Sequence, residues 1–85
     1  MLNKNELIQW LLSKNYHADK FGHYQKTVEN NGQSKTYRYK IQDISTRYEV
    51  KIKYSDGHSD WLRIASGYYK DLSINDKQQL SGLKR

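Results

Sequence analysis

Asn31-Gly32 constrains this chain more than any other pair of residues. A two-residue type I′ turn needs positive φ at both central positions, and Asn-Gly adopts it at little steric cost. Strand-forming residues flank the pair on both sides, in FGHYQKTVEN and QSKTYRYKI. The turn therefore fixes register as well as topology. Asn30 is expected to face Gln33, Val28 to face Lys35, Lys26 to face Tyr37 and Tyr24 to face Tyr39, with Gly22 opposite Ile41. Side chains alternate along a strand, so one face of this hairpin collects Tyr24, Val28, Tyr37, Tyr39 and Ile41. The other collects His23, Gln25, Thr27, Glu29, Thr36, Arg38 and Lys40. Lys26 and Lys35 fall on the apolar face, where long stems can carry the ammonium groups outward.

The next segment, TRYEVKIKY, repeats the alternation. Tyr48, Val50, Ile52 and Tyr54 point one way, and Arg47, Glu49, Lys51 and Lys53 the other. A turn at Ser55-Asp56-Gly57 then reverses the chain. A plain two-residue Asp56-Gly57 loop would set Ile52 against Trp61 and Val50 against Arg63, which mixes the faces. A three-residue loop with Gly57 in a G1 bulge sets Val50 against Leu62 and Tyr48 against Ile64. It also places Lys51 against Trp61 and Glu49 against Arg63, and is the register expected.

The termini read as helices. Residues 2–15 place Leu7, Ile8, Leu11 and Leu12 on one side of a helix, with Trp10 beside them. Asn3 followed by Glu6 spells a capping box, Leu2 and Leu7 stand at hydrophobic-staple positions, and Asn15 suits a left-handed C-terminal residue. Ser73 as N-cap, Asp76 at the third helical position and Gly82 as terminator suggest a short helix near residues 74–81. The segment YYKDL between is compatible with loop, short helix or strand. The expected fold is α+β over residues 1–85 as one domain. An N-terminal helix packs on a four-stranded antiparallel meander sheet, and a short C-terminal helix follows.

The chain has 85 residues and no cysteine, so it holds neither a disulfide nor a thiolate zinc site. Small secreted domains commonly rely on such staples, and no apolar run approaches the roughly 18 residues of a membrane span or a signal-peptide core. An intracellular, cytoplasmic protein with no membrane association is expected. Eight tyrosines, two tryptophans and no proline mark a folded, strand-rich domain. The abundance of Asn, Lys, Ile and Tyr suits an AT-rich coding source such as a bacterial genome, a phage or a mobile element.

The formal net charge is +6. Its distribution says more than its total. Residues 1–34 and 55–85 each sum to +1, whereas residues 35–54 carry six basic and two acidic groups. The excess therefore sits on the central strands. With the helix on the tyrosine and aliphatic face, the opposite face should expose Arg38, Lys40, Arg47, Lys51, Lys53 and Arg63, with Trp61 as its large aromatic. A cationic stripe of this kind neutralises phosphates, and an aromatic among cations suits stacking on an unpaired base. The bland counterpart is a solvated strand face that uses Lys to stay soluble and to block edge pairing.

Catalytic patterns are absent. The chain has no Gly-rich phosphate loop, no G-x-S-x-G elbow and no H-E-x-x-H. His17, Asp19 and His23 in HADKFGH, and His58 between two acids in DGHSD, have no spacing that enforces convergence on a metal or a substrate. A non-enzymatic protein without metal or cofactor is expected.

Two functions follow. The first is a small basic nucleic-acid-binding protein, for DNA or RNA, using Arg38, Lys40, Arg47, Lys51, Lys53 and Arg63 on phosphates and Trp61 for stacking. The alternative is a protein-interaction module, of the accessory or inhibitor type found in phages and mobile elements. It would dock through Trp61, Tyr68 and Tyr69 on an acidic partner surface. An exposed edge strand would also allow a homodimer. In outline, the order helix, strand, strand, strand resembles double-stranded RNA-binding domains. The chain departs from them in its fourth strand and in a final helix without a basic N-terminal cluster. The paired-aromatic sheet motif of RNA-recognition modules is missing as well, because Tyr37 and Tyr39 belong to the core face.

Overall fold

The capping box forms as its residues imply. In the computed structural model, which describes residues 2–55 and 60–84, the Asn3 side chain accepts from the Glu6 N–H at 2.8 Å. The Glu6 carboxylate accepts from the Asn3 N–H at 3.1 Å. The helix α1 runs Lys4–Ser13, shorter than 2–15 because Asn3 stands outside it as the cap and Asn15 turns left-handed at φ 69°. Leu7 and Leu11 are fully buried, whereas Leu12 is exposed. The apolar stripe is thus narrower than the four leucine and isoleucine positions suggest.

The main sheet is antiparallel with five strands in consecutive order. They are β1 (His17–Ala18), β2 (Tyr24–Asn30), β3 (Gln33–Gln42), β4 (Arg47–Tyr54) and β5 (Leu62–Tyr68). The Asn31-Gly32 hairpin pairs Asn30 with Gln33, Val28 with Lys35, Lys26 with Tyr37 and Tyr24 with Tyr39, as the turn dictates. Gly22 does not reach Ile41. Gly22 has φ +80° and turns the chain from β1 toward β2; β1 is a two-residue strand beside Tyr24 and Gln25 that corrects the expected four strands to five. The Asp19 carboxylate holds that turn, accepting from the Phe21 and His23 N–H groups at 2.8 and 2.9 Å. Two residues of strand carry too little pattern for period-2 reading to find.

The β4–β5 register also differs from expectation. Ile52 opposes Leu62 and Lys51 opposes Arg63; beyond a bulge, Val50 opposes Ala65, Glu49 Ser66, Tyr48 Gly67 and Arg47 Tyr68. The extra residue on β5 is Ile64, which is 37% exposed. The expected pairs of Val50 with Leu62, Tyr48 with Ile64, Lys51 with Trp61 and Glu49 with Arg63 do not form. Volume is the reason. Tyr48 is fully buried, and a Cβ on Gly67 would stand 3.1 Å from its hydroxyl oxygen. Small residues, Ala65 and Gly67, therefore lie against the bulky Val50 and Tyr48, and the more hydrophobic Ile64 is displaced into the bulge. Of the expected Ser55-Asp56-Gly57 turn, Asp56 and Gly57 lie outside the described residues, as does His58.

No helix forms near residues 74–81. Tyr69–Asp71 make one 3-10 turn, and Ser73–Ile74 (β6) pair with Leu80–Ser81 (β7) as a small second sheet. Asn75 directs this hairpin, accepting on its side-chain oxygen from the Lys77 and Gln79 N–H groups. The Asx-type turn thus claims the donors that a helix start would have used. Ile74 and Leu80 pack on the core, and the Gln78 carbonyl accepts from the Trp10 indole N–H at 3.0 Å.

The core joins Leu2, Leu7, Leu11, Tyr16, Tyr39, Tyr48, Val50, Ala65 and Leu72. Burying each leucine side chain contributes about 1.5–3 kcal/mol. All of these elements lie on one side of the sheet, which leaves its other side to solvent. No helix among the described residues is long and apolar enough to cross a membrane.

Candidate nucleic-acid interface

The hydrogen-bonded registers place side chains of one face in rows that cross the strands. One row runs His17, Gln25, Arg38, Lys51, Arg63. Its last three members are cations on adjacent strands, where directly opposed side chains stand about 4.5–5.5 Å apart at Cβ. Like charges so placed repel. Glu49, in the neighbouring row, relieves part of that repulsion with carboxylate oxygens 3.3 Å from Lys51 Nζ and 3.9 Å from Arg63 Nη1. It serves Lys51 and Arg63, not Arg38.

Arg38 turns instead to an aromatic ring. Its guanidinium carbon lies 4.1 Å from the centre of the Trp61 ring, and Lys53 Nζ lies 5.8 Å from it. The other end of β5 repeats the arrangement. Arg47 and Tyr68 are directly paired, with the guanidinium 4.9 Å from the ring centre and Lys70 Nζ 5.5 Å away. Each aromatic thus has one guanidinium and one ammonium beside it. Exposed contacts of this type contribute about 0.5–1 kcal/mol each.

Arg38, Lys40, Arg47, Lys51, Lys53, Arg63 and Trp61 therefore share one face. Tyr68 joins them there, 42% exposed, in a segment whose pattern alone leaves loop, short helix and strand open. The bulge at Ile64 is the cause, because one extra residue exchanges the faces of everything beyond it. Tyr69 goes the other way and packs on the core, so the pair Tyr68-Tyr69 does not act as one exposed unit. A run of small residues, Ala65-Ser66-Gly67, before an aromatic pair was the available signal for this exchange.

His23 borders the cationic rows. Burial lowers its pKa below the ordinary value; Asp19 opposes that shift, while Arg38, Lys40 and Lys51 add to it. Its Nδ1 is buried without a hydrogen-bond partner, 3.7 Å from the Asp19 carboxylate. Burial raises the Asp19 pKa, but hydrogen bonds from the His23 and Phe21 N–H groups and the Gln25 amide outweigh it and hold the carboxyl below its usual value. His17 does not join Asp19 and His23 in a ligand set: no cluster of three His, Cys, Asp or Glu side chains suited to a metal occurs among the described residues.

The core side of the sheet is not wholly covered. Beyond α1 an open groove of about 800 Å³ is lined by Tyr37, Ile52, Tyr54, Ile64 and Leu83. Lys35 stands over Tyr54 at its margin. On the covered side, burial raises the Tyr16 hydroxyl pKa to about 12, and it pushes Tyr39 up as well. Those rings meet edge to face with centres 5.3 Å apart and are structural. The sheet itself ends in two short edges. β1 covers only the start of β2, and the Ser66 N–H on β5 donates to the Lys84 carbonyl at 2.8 Å.

No family model matches the chain, and neither the curated proteins nor the solved structures include a match to it.

Proposed function

We propose that this protein binds nucleic acid without catalysing a reaction, through the cationic face of its main sheet. One observation carries the reading: six cations on three adjacent strands are offset within those strands by Glu49 alone, which lies within 4 Å of Lys51 and Arg63 and directly opposite Lys40. A face built for solubility alone would intersperse both signs. Phosphates are the ligands that complete such a row, and their binding releases counterions and weakens with salt. Arg38, Lys40, Arg47, Lys51, Lys53 and Arg63 would contact phosphates, and Trp61 would stack. Specificity would be low, because few groups on this face suit base-edge readout.

Fluorescence anisotropy with labelled single-stranded and duplex oligonucleotides at low salt tests this. The double variant Lys51→Ala, Arg63→Ala should bind more weakly. Unchanged affinity for every nucleic acid tried would refute the proposal.

A protein partner is the second reading. The observation that favours it is the open groove on the core side of the sheet, where Tyr37, Ile52, Tyr54 and the exposed Ile64 stand beside Lys35 and Arg63. This differs from docking through Trp61, Tyr68 and Tyr69, because Tyr69 faces the core. A pull-down from the source cell that yields a stoichiometric protein and no nucleic acid would favour it.

A further inference from the structure

From the two cation-flanked aromatics we infer that the ligand is single-stranded nucleic acid, held along β4 and β5 with one base on Trp61 and another on Tyr68. This rests on the nucleic-acid reading above and narrows it to one substrate class.

An aromatic ring on an open face gains from a nucleic acid only by meeting a base plane, and duplex bases hide their planes in the stack. Unpaired bases stack on aromatic rings and on guanidinium planes alike. Trp61 with Arg38, and Tyr68 with Arg47, offer both surfaces at each site. Lys53 and Lys70, 5.8 and 5.5 Å from the two ring centres, are placed for the phosphates that flank a stacked base.

Five strands at about 4.8 Å spacing put the outer strand axes about 19 Å apart. The major groove is about 12 Å wide and admits a helix or a two-stranded ribbon. This sheet is too broad to enter it, so base contact in the major groove of a duplex is out of reach.

The spacing of the two sites sets a length. Trp61 lies beside Lys53 and Tyr68 opposite Arg47, at the two ends of β4. Six residues of strand separate them, or about 20 Å at 3.3 Å per residue. At 3.4 Å per stacked nucleotide that corresponds to about six nucleotides. Lys51 and its cross-strand partner Arg63 lie between the two sites along β4 and β5 and would contact the intervening backbone.

The test measures affinity by anisotropy for oligothymidylates of two to twelve nucleotides and for a duplex of twelve base pairs, at one low salt concentration. Affinity for the single strand should rise steeply up to about six nucleotides and slowly thereafter. Trp61→Ala and Tyr68→Ala should each weaken the twelve-nucleotide single strand by about 5- to 100-fold, Trp61→Phe should restore most of that loss, and duplex affinity should not change. Tyr68 is exposed and Trp61 half-buried, and circular dichroism of each variant checks the fold. Duplex affinity equal to or above single-strand affinity, or alanine variants that bind single strands normally, would overturn this inference and leave the general reading standing. No binding of either form by the wild type would overturn both.

Discussion

The Arg38 guanidinium lies 4.1 Å from the centre of the Trp61 ring, on the face of the sheet that α1 leaves open. An arginine facing two cations in its own row, with the nearby carboxylate committed elsewhere, gains by resting on the negative face of a π-system. The contact also fixes the ring in place. Replacing Arg38 by Ala should lower stability by no more than about 1 kcal/mol. In a Trp10→Phe background, the Trp61 emission of that variant should shift to the red as the ring gains water. Unaltered emission would show that the ring is held by something else.

Glu49 separates stability from binding. Its carboxylate offsets Lys51 and Arg63, so Glu49→Gln should cost about 0.5–1 kcal/mol in urea denaturation. The same change releases two cations for phosphates and should tighten nucleic-acid binding several-fold. A solvated face without a ligand predicts the stability loss only. A variant that is less stable and binds no better would count against the interface.

Gly82 tests the C-terminal hairpin that replaced the expected helix. It sits at φ +91°, and a Cβ there would stand 2.6 Å from the Asp71 carbonyl oxygen. Backbone cannot yield as a side-chain end does, and strain of this kind costs about 1–3 kcal/mol. Gly82→Ala should lower the denaturation midpoint accordingly. In a helix near 74–81, Gly82 would be a cap, and its replacement by Asn would be tolerated; here Gly82→Asn should also destabilise, because its Cβ meets the same oxygen.

His23 predicts a pH dependence with a definite sign. Its folded pKa lies below the ordinary 6.5 because of burial, reinforced by Arg38, Lys40 and Lys51. The unfolded chain therefore takes up the proton first as pH falls. The contribution of His23 is fully present above about 6.5 and is lost as pH drops through that value toward the lower folded pKa. His23→Gln should remove this component, so the stability difference between wild type and variant should change between pH 7 and 5. A constant difference over that window would contradict the assignment.

Much of this arrangement is legible in the sequence where local chemistry decides it. Asn31-Gly32 sets the β2–β3 register without help from the rest of the fold, and Asn3 with Glu6 starts α1 for reasons contained in four residues. The strict alternation of Tyr48 to Tyr54 places the β4 cations on one face. The rest depends on partners distant in the chain. Ala65 and Gly67 enter the core because Tyr48 fills the space above them, a matter of volume that a hydrophobicity pattern does not encode. Tyr68 reaches the cationic face only through that choice. Asn75 competed with Ser73 to organise residues 73–81, and its turn prevailed because Ile74 and Leu80 then both reach the core beside Trp10.

The central claim is that the cationic face holds phosphates, and the salt dependence of binding tests it most directly. With all six cations of the face on phosphates, the logarithm of the binding constant for a single strand should fall against the logarithm of salt with a slope of about −4. Arg47→Ala with Lys53→Ala should reduce that slope to about −3. Binding that is absent at low salt, or a slope that the two substitutions leave unchanged, would contradict the account.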